Sequence, residues 1–200
     1  MQVVLFGLNH KAAAIDQLEC FALKNEEVMA SLQDLHSHPQ IDEIAILTTC
    51  NRTEFYAVCA ENVDLRPVFR AHLRALKGES PGAAWEHFYF KVGEAAKRHL
   101  FTVACGLDSV VVGENEIAGQ VKGAYGTACR AGTAGTLLHK LFHAAFRASK
   151  RAKNETEINK GCCCTAAAAV DLAEDFCGGL TEASVLILGV GEVGSIESLI

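Results

Sequence analysis

The stretch AILTTCNRTEFY, residues 45–56, ends an apolar run on a thiol. Ile44, Ala45, Ile46 and Leu47 read as a buried strand; Thr48 and Thr49 continue it, and Cys50, Asn51 and Arg52 break it. A second β-rich run, Thr53 to Cys59, follows at once. A cysteine at a strand end projects into a cleft and serves as a nucleophile when something lowers its pKa. Arg52 is a nearby cation of the kind that favours thiolate, and Glu54 lies two residues beyond it. A purely structural cysteine in a strand turn is the other reading, and spacing alone does not say whether a histidine comes close. His99, after Lys97 and Arg98 in a predicted helix over 94–105, is the second candidate, with a surface or satisfied core histidine as its plain alternative. The segment GLDSVVVGENEIAGQ places Ser109, Glu114, Asn115, Glu116 and Gln120 around an apolar run. These groups suit a small polar substrate, and equally a helix start, where Glu114 to Glu116 would favour the positive end of the dipole.

A third feature lies near the end. Val185 to Leu188 reads as a strand running into Gly189-x-Gly191-x-x-Gly194, where glycines let helix-start amides approach a pyrophosphate. An ordinary glycine-rich turn is the alternative. Six residues follow, whereas a βαβ unit takes about 30, so the expectation is only the opening of a dinucleotide-binding domain.

The elements that must position these groups follow from periodicity. Residues 2–8 read as a strand, LKNEEVMASLQDLH as a helix capped by Asn25, and 43–49 and 53–59 as two strands. A helix bearing Arg66, Arg70 and Arg74 comes next, with Asp64 as a possible cap, then a Gly/Ser/Pro break, the strand HFYFKV and the helix at 94–105. The order βαββαβ plus an extra helix predicts an α+β fold with a ferredoxin-like, split-βαβ sheet. GENEIAGQVKGAYGTACRAG and TLLHKLFHAAFRASKRAK look helical, NETEINKG reads as a polar connection, and CCCTAAAAVDLAEDFCGG as a helix stopped by Gly178 and Gly179. We divide the chain at 1–155 and 156–200, the second part being a linker helix and an incomplete nucleotide-binding domain.

Composition narrows the options. Of 200 residues half are hydrophobic and three are proline, enough for a real core. No run of eighteen apolar residues occurs, and the start lacks a signal-peptide pattern, so a cytoplasmic protein with no membrane partner is expected. The nine cysteines lack zinc-site spacing and are expected mostly as small buried hydrophobes, not disulfides. A net charge of −6 rules out a generic polyanion binder. Any nucleic-acid contact needs a local patch, for which the Arg66, Arg70 and Arg74 face is the candidate and a solvated helix face the alternative.

GLNHKAA, TTCNRTE, GLDSVVVGENEIAGQVK with HL just before it, NETEI and ILGVGEVG occur in the order and spacing of glutamyl-tRNA reductases, and the chain resembles that family to about Gly194. The resemblance implies NADPH-dependent reduction of tRNA-bound glutamate to glutamate-1-semialdehyde, the first committed step of tetrapyrrole synthesis. It implies Cys50 as the nucleophile that holds glutamate as a thioester, and His99 as a polarising or acid–base group. Thr49, Cys50, Asn51, Arg52, Ser109, Glu114, Asn115, Glu116 and Gln120 would form the glutamate pocket, with Arg52 facing the substrate carboxylate. Gly189, Val190, Gly191, Glu192, Val193 and Gly194 would form the NADPH phosphate loop. Implied partners are glutamyl-tRNA, glutamate-1-semialdehyde aminomutase and a second copy in a homodimer. The chain departs from the family at Glu116, where glutamine is usual, at NKGCCCTAAAA and at GSIESLI. With so little of the nucleotide domain, the expected behaviour is thiol acylation with poor hydride transfer and slow hydrolysis of glutamyl-tRNA. A catalytically silent tRNA-binding piece is the rival expectation.

Overall fold

Four strands form one antiparallel sheet in the order β2-β3-β1-β4: β1 (Gln2–Asn9), β2 (Glu43–Thr49), β3 (Arg52–Cys59) and β4 (Tyr89–Val92). β1 and β2 therefore run in the same direction with β3 reversed between them. The computed structural model describes residues 1–78, 84–158, 165–180, 184 and 186. Of the expected strand over 185–188 only Leu186 is described, and the Gly189–Gly194 loop and Cys162 to Cys164 lie outside the described residues.

Seven helices are described: α1 (Ile15–Phe21), α2 (Asn25–His36), α3 (Arg66–Lys77), α4 (Glu94–Ala104), α5 (Glu116–Arg130), α6 (Thr136–Glu155) and α7 (Thr165–Cys177). A 3-10 turn, Ala84–His87, precedes β4, so that strand is shorter than the run HFYFKV suggests. α1 was not expected; it is two turns long and is held by burial of Leu18 and Phe21. α2 is capped one residue earlier than expected. Lys24 is the cap residue, and its N–H donates to Glu27 Oε2 at 2.7 Å, an acceptor that Asn25 does not supply. On α3, Asp64 does accept the Arg66 N–H at 3.0 Å. α7 ends where Gly178 and Gly179 take positive φ.

Strand alternation gives the sheet two different faces. Phe6 and Phe55 point to one side, where Phe69 of α3 lies 5.4 Å from each ring; Phe88 stacks on Phe6 at 4.7 Å and meets Phe21 of α1 edge-on at 4.9 Å. Leu5 and Tyr56 point to the other, toward α4, α5 and α6, where Tyr56 meets Phe142 edge-on at 6.0 Å. The outer edge of β2 is not left bare. Ile44 N–H donates to Thr133 O at 2.8 Å, and Thr133 Oγ1 donates to Ile44 O at 2.9 Å. Glu43 in turn accepts the Leu137 and Leu138 N–H groups at 3.0 and 2.7 Å, tying the sheet to the start of α6.

The loop between α4 and α5 is closed by Gly113 N–H donating to Gly106 O at 3.0 Å. Gly113 has φ +86°, and a methyl group there would overlap the Ile158 carbonyl. The chain leaving α6 thus runs directly over this loop. Of the six described cysteines only Cys59 and Cys105 are buried, while Cys20, Cys50, Cys129 and Cys177 are exposed. The expectation of mostly buried thiols fails because Cys20, Cys129 and Cys177 lie on outward faces of their helices.

Candidate active site

β2 ends on Thr49, and the turn into β3 carries Cys50 and Asn51, with Cys50 exposed. Asn51 N–H donates to Thr49 Oγ1 at 3.1 Å, and Asn51 O accepts His10 N–H at 2.9 Å, which fixes the turn against the end of β1. Arg52 does not belong to the turn; it opens β3. Its side chain therefore shares a face with Glu54 and Tyr56, the face covered by α4 and α6.

That face holds a buried chain of charges. Glu54 is fully buried and accepts four hydrogen bonds. Tyr56 OH donates to Oε2 at 2.6 Å; Tyr89 OH at 2.6 Å, His99 Nε2 at 2.7 Å and Arg52 Nη1 at 3.0 Å converge on Oε1. Room for this carboxylate comes from Gly7, its partner on β1. A methyl at Gly7 would lie 2.9 Å from Glu54 Cγ and 2.7 Å from Thr53 O. On the other side, Arg52 donates to Asp108 Oδ2 at 3.1 Å and to Asp108 O at 2.7 Å. Asp108 also accepts Asn9 Nδ2 at 2.9 Å and Lys11 Nζ at 2.6 Å.

The electrostatics follow from these contacts. Burial pushes the Glu54 carboxyl up, but the His99 hydrogen bond and the Arg52 charge outweigh it and hold it below the usual carboxylate range. Asp108 behaves alike: burial raises it, while Lys11 and Arg52 bring it down. Burial works against the Arg52 charge, and Glu54, Tyr89 and Asp108 more than restore it. Burial beside the Glu54 charge drives both tyrosine hydroxyls, Tyr56 and Tyr89, far up and keeps them as neutral donors. Facing an ionised carboxylate, His99 Nε2 is the ring nitrogen that donates to Glu54.

Three buried polar atoms around the turn have no partner among the described residues: Arg52 Nε, His10 Nδ1 and Ser109 Oγ. Unpartnered buried polar atoms are uncommon and need a reason, and here they gather on the segments that flank Cys50.

The structure brings Thr49, Cys50, Asn51, Arg52, His99 and Ser109 into one neighbourhood, through the turn, Glu54 and the Asp108 loop. It places Arg52 differently from expectation. Its residue exposure is 2 %, and Nη1 and Nη2 are held by Glu54 and Asp108 instead of facing an open pocket. Its place inside β3, not in the turn, is the cause. Glu114, Asn115 and Glu116 stand at the start of α5, where Asn115 Oδ1 accepts Lys153 Nζ at 2.8 Å. Gln120 lines a cleft of about 500 Å³ with Asn25 and Thr48. No hydrogen bond or ion pair among the described residues joins these four to the Cys50 turn. Asn9, His10, Lys11, Tyr56, Tyr89 and Asp108 were not anticipated. The available signal was the Arg-x-Glu-x-Tyr alternation, polar groups on a strand that is otherwise apolar.

The arginine face is largely spent internally. Arg66 pairs with Asp64 at 2.9 Å and lies 5.3 Å from the Phe90 ring, and Arg74 lies 5.3 Å from the Trp85 ring. Among the described residues no helix is long and apolar enough to cross a membrane.

Residues 6–156 match the family model described as Glutamyl-tRNAGlu reductase, N-terminal domain. A curated glutamyl-tRNA reductase of Desulfatibacillum aliphaticivorans is 36% identical over 196 residues, covering 98% of this chain and 45% of that protein. One from Xanthomonas campestris pv. phaseoli is 40% identical over 192 residues, covering 96% and 43%. The solved structure of glutamyl-tRNA reductase from Methanopyrus kandleri superposes with a TM-score of 0.70 at 34% identity, covering 98% of this chain and 45% of that one. The chain thus spans under half the length of these relatives.

Proposed function

The chain belongs to the glutamyl-tRNA reductase family, and on that premise we propose that it supplies the thiol and the amino-acid pocket of such an enzyme. Residues 1–155 form the catalytic unit in this reading, a ferredoxin-like module; the strand order and the end of the family match at residue 156 support both statements. Residues 156–200 lead into the nucleotide-binding part.

The Cys50 thiolate attacks the carbonyl carbon of glutamate esterified to tRNA. The C–O bond to the terminal ribose breaks, the ribose oxygen takes a proton, and glutamate stays on sulfur as a thioester. NADPH, when bound, supplies the hydride that takes this acyl group to glutamate-1-semialdehyde. Its expected loop, Gly189–Gly194, lies outside the described residues. Thr49, Asn51, Ser109, Glu114, Asn115, Glu116 and Gln120 are the proposed glutamate-binding groups. Arg52 acts from beneath, clamping the Asp108–Ser109 loop to the Cys50 turn. His99, held by Nε2 on Glu54, offers Nδ1 to accept or return a proton. The wider reading adds the homodimer and delivery of the aldehyde to glutamate-1-semialdehyde aminomutase.

One observation carries the proposal: an exposed thiol sits on a turn held by His10 on one side and by the Arg52–Glu54–Asp108 network on the other, with three unpartnered buried polar atoms on the flanking segments. The test is intact-protein mass spectrometry after mixing with glutamyl-tRNA, beside Cys50→Ser. A single glutamyl adduct, located on Cys50 and absent in the variant, is expected. No adduct, with tRNA still bound through the arginine face, would leave a binding module without thiol chemistry.

A further inference from the structure

Helices α5 and α6 carry a second cluster that shares no residue with the Cys50 site. The Tyr125 hydroxyl lies between two imidazoles, in contact with His139 Nδ1 and 3.2 Å from His143 Nε2. His139 and His143 are four residues apart on α6, so both rings stand on one face of the helix. Tyr125 is fixed in place: its ring stacks on Phe142 at 5.4 Å and meets Phe146 edge-on at 5.7 Å. Both imidazoles stand edge-on to it, each with ring centres 5.4 Å away. Cys129, one turn later on α5, is exposed.

We propose that His139, His143 and Tyr125 form a surface site for a divalent transition-metal ion of the zinc type, bridging α5 and α6. Two ring nitrogens already lie within hydrogen-bonding reach of one phenol oxygen, so the three donors are gathered in one place. Imidazole nitrogen is a preferred ligand of zinc, nickel and copper, and three protein ligands leave a fourth tetrahedral position open. Water fills that position. Among the described residues no three His, Cys, Asp or Glu side chains are assembled to hold a metal, so the third donor here must be the phenol.

Without metal the groups satisfy one another: the phenol donates to one ring and accepts from the other. The hydroxyl proton lies between the phenol oxygen and a ring nitrogen. A bound ion displaces it, the oxygen becomes phenolate, and one proton passes to solvent. The ion would link two helices that both pack on β2, near the Glu43 end of that strand.

The 200-residue protein, reduced, is titrated with Zn²⁺ by calorimetry, with Mg²⁺ as the control, alongside His139→Gln/His143→Gln and Tyr125→Phe. All three positions are on the outer side of the helix pair, and circular dichroism checks that the variants fold. The wild type is expected to bind one more equivalent of Zn²⁺ than the double histidine variant, and Mg²⁺ none. The ultraviolet difference spectrum of tyrosinate should appear on Zn²⁺ addition in the wild type and be lost in Tyr125→Phe. Tyr56 and Tyr89, the other two tyrosines, are enclosed and held on Glu54 and do not confuse this signal. Equal Zn²⁺ stoichiometry in the wild type and the double variant, or an extra equivalent bound with no tyrosinate signal, would overturn the assignment.

Discussion

Glu54→Gln probes the buried network most sharply, because it keeps the shape and removes one charge. Oε1 collects Arg52, Tyr89 and His99, whereas Oε2 receives only Tyr56. An amide with its oxygen at the Oε1 position keeps three of these contacts, and the Tyr56 hydroxyl can turn to accept from the NH₂. What disappears is counter-charge, since Arg52 then retains Asp108 alone. Removing one partner of a buried pair costs about 3–5 kcal/mol, and the surviving Asp108 puts glutamine near the lower end, at about 3 kcal/mol. Glu54→Leu keeps no acceptor and strands two hydroxyls and an imidazole, so about 5 kcal/mol or more is expected. Urea unfolding at pH 7 reads both as shifts of midpoint at unchanged slope. The pH dependence gives an independent sign. The folded pKa of Glu54 lies below its ordinary value of 4.5, so its ionised form stabilises fully above that value. The stabilisation is lost as pH falls through the folded pKa. Protonated glutamate and glutamine are nearly the same object, so the gap between wild type and Glu54→Gln should close as pH drops below that ordinary value. Equal losses for glutamine and leucine, or a gap that holds or widens in acid, would refute the network as the source of the stability.

Two further substitutions test how the sheet positions the site. Gly7→Ala sets a methyl against the Thr53 carbonyl at 2.7 Å, which is backbone and cannot swing aside. A loss of about 1–3 kcal/mol is expected, seen in thermal unfolding as a fall of roughly 2–4 °C per kcal/mol; an unchanged midpoint would contradict the packing described. Glu43→Ala removes the carboxylate that accepts the Leu137 and Leu138 amides. It should cost about 1–2 kcal/mol, as loss of a helix cap does, and accelerate hydrogen exchange at those two amides; unaltered exchange there would show that the cap is not holding them.

Much of the fold was readable because its strands are apolar runs set between polar breaks. β2 matched its expected limits of 43–49, while burial on both faces of the sheet left no alternation to read. α1 was missed because seven residues give too little periodicity, and its place is set by Phe21 meeting Trp85 and Phe88. For the site, the turn thiol was legible and the arginine beside it was misplaced. Counting Arg52 as the last turn residue sends its side chain outward; counting it as the first strand residue sends it under α4. Pairing across from Asn9 to Arg52 decides the matter, and pairing is a tertiary fact. Likewise Glu54 could be noticed, but its partners Tyr89 and His99 come from 35 and 45 residues away, and Asp108 reaches Arg52 across 56, so no spacing rule could have joined them. An isolated glycine in an apolar strand was a second local hint beside the Arg-x-Glu-x-Tyr alternation, and Gly7 does mark a close approach.

The crossing of Ile158 over Gly113 makes position 113 a place where only glycine fits. The carbonyl of the outgoing chain occupies the space a side chain would need, so a larger residue must displace either Ile158 or the bend that bears Asp108. Displacing that bend would disturb both hydrogen bonds that Arg52 gives to Asp108.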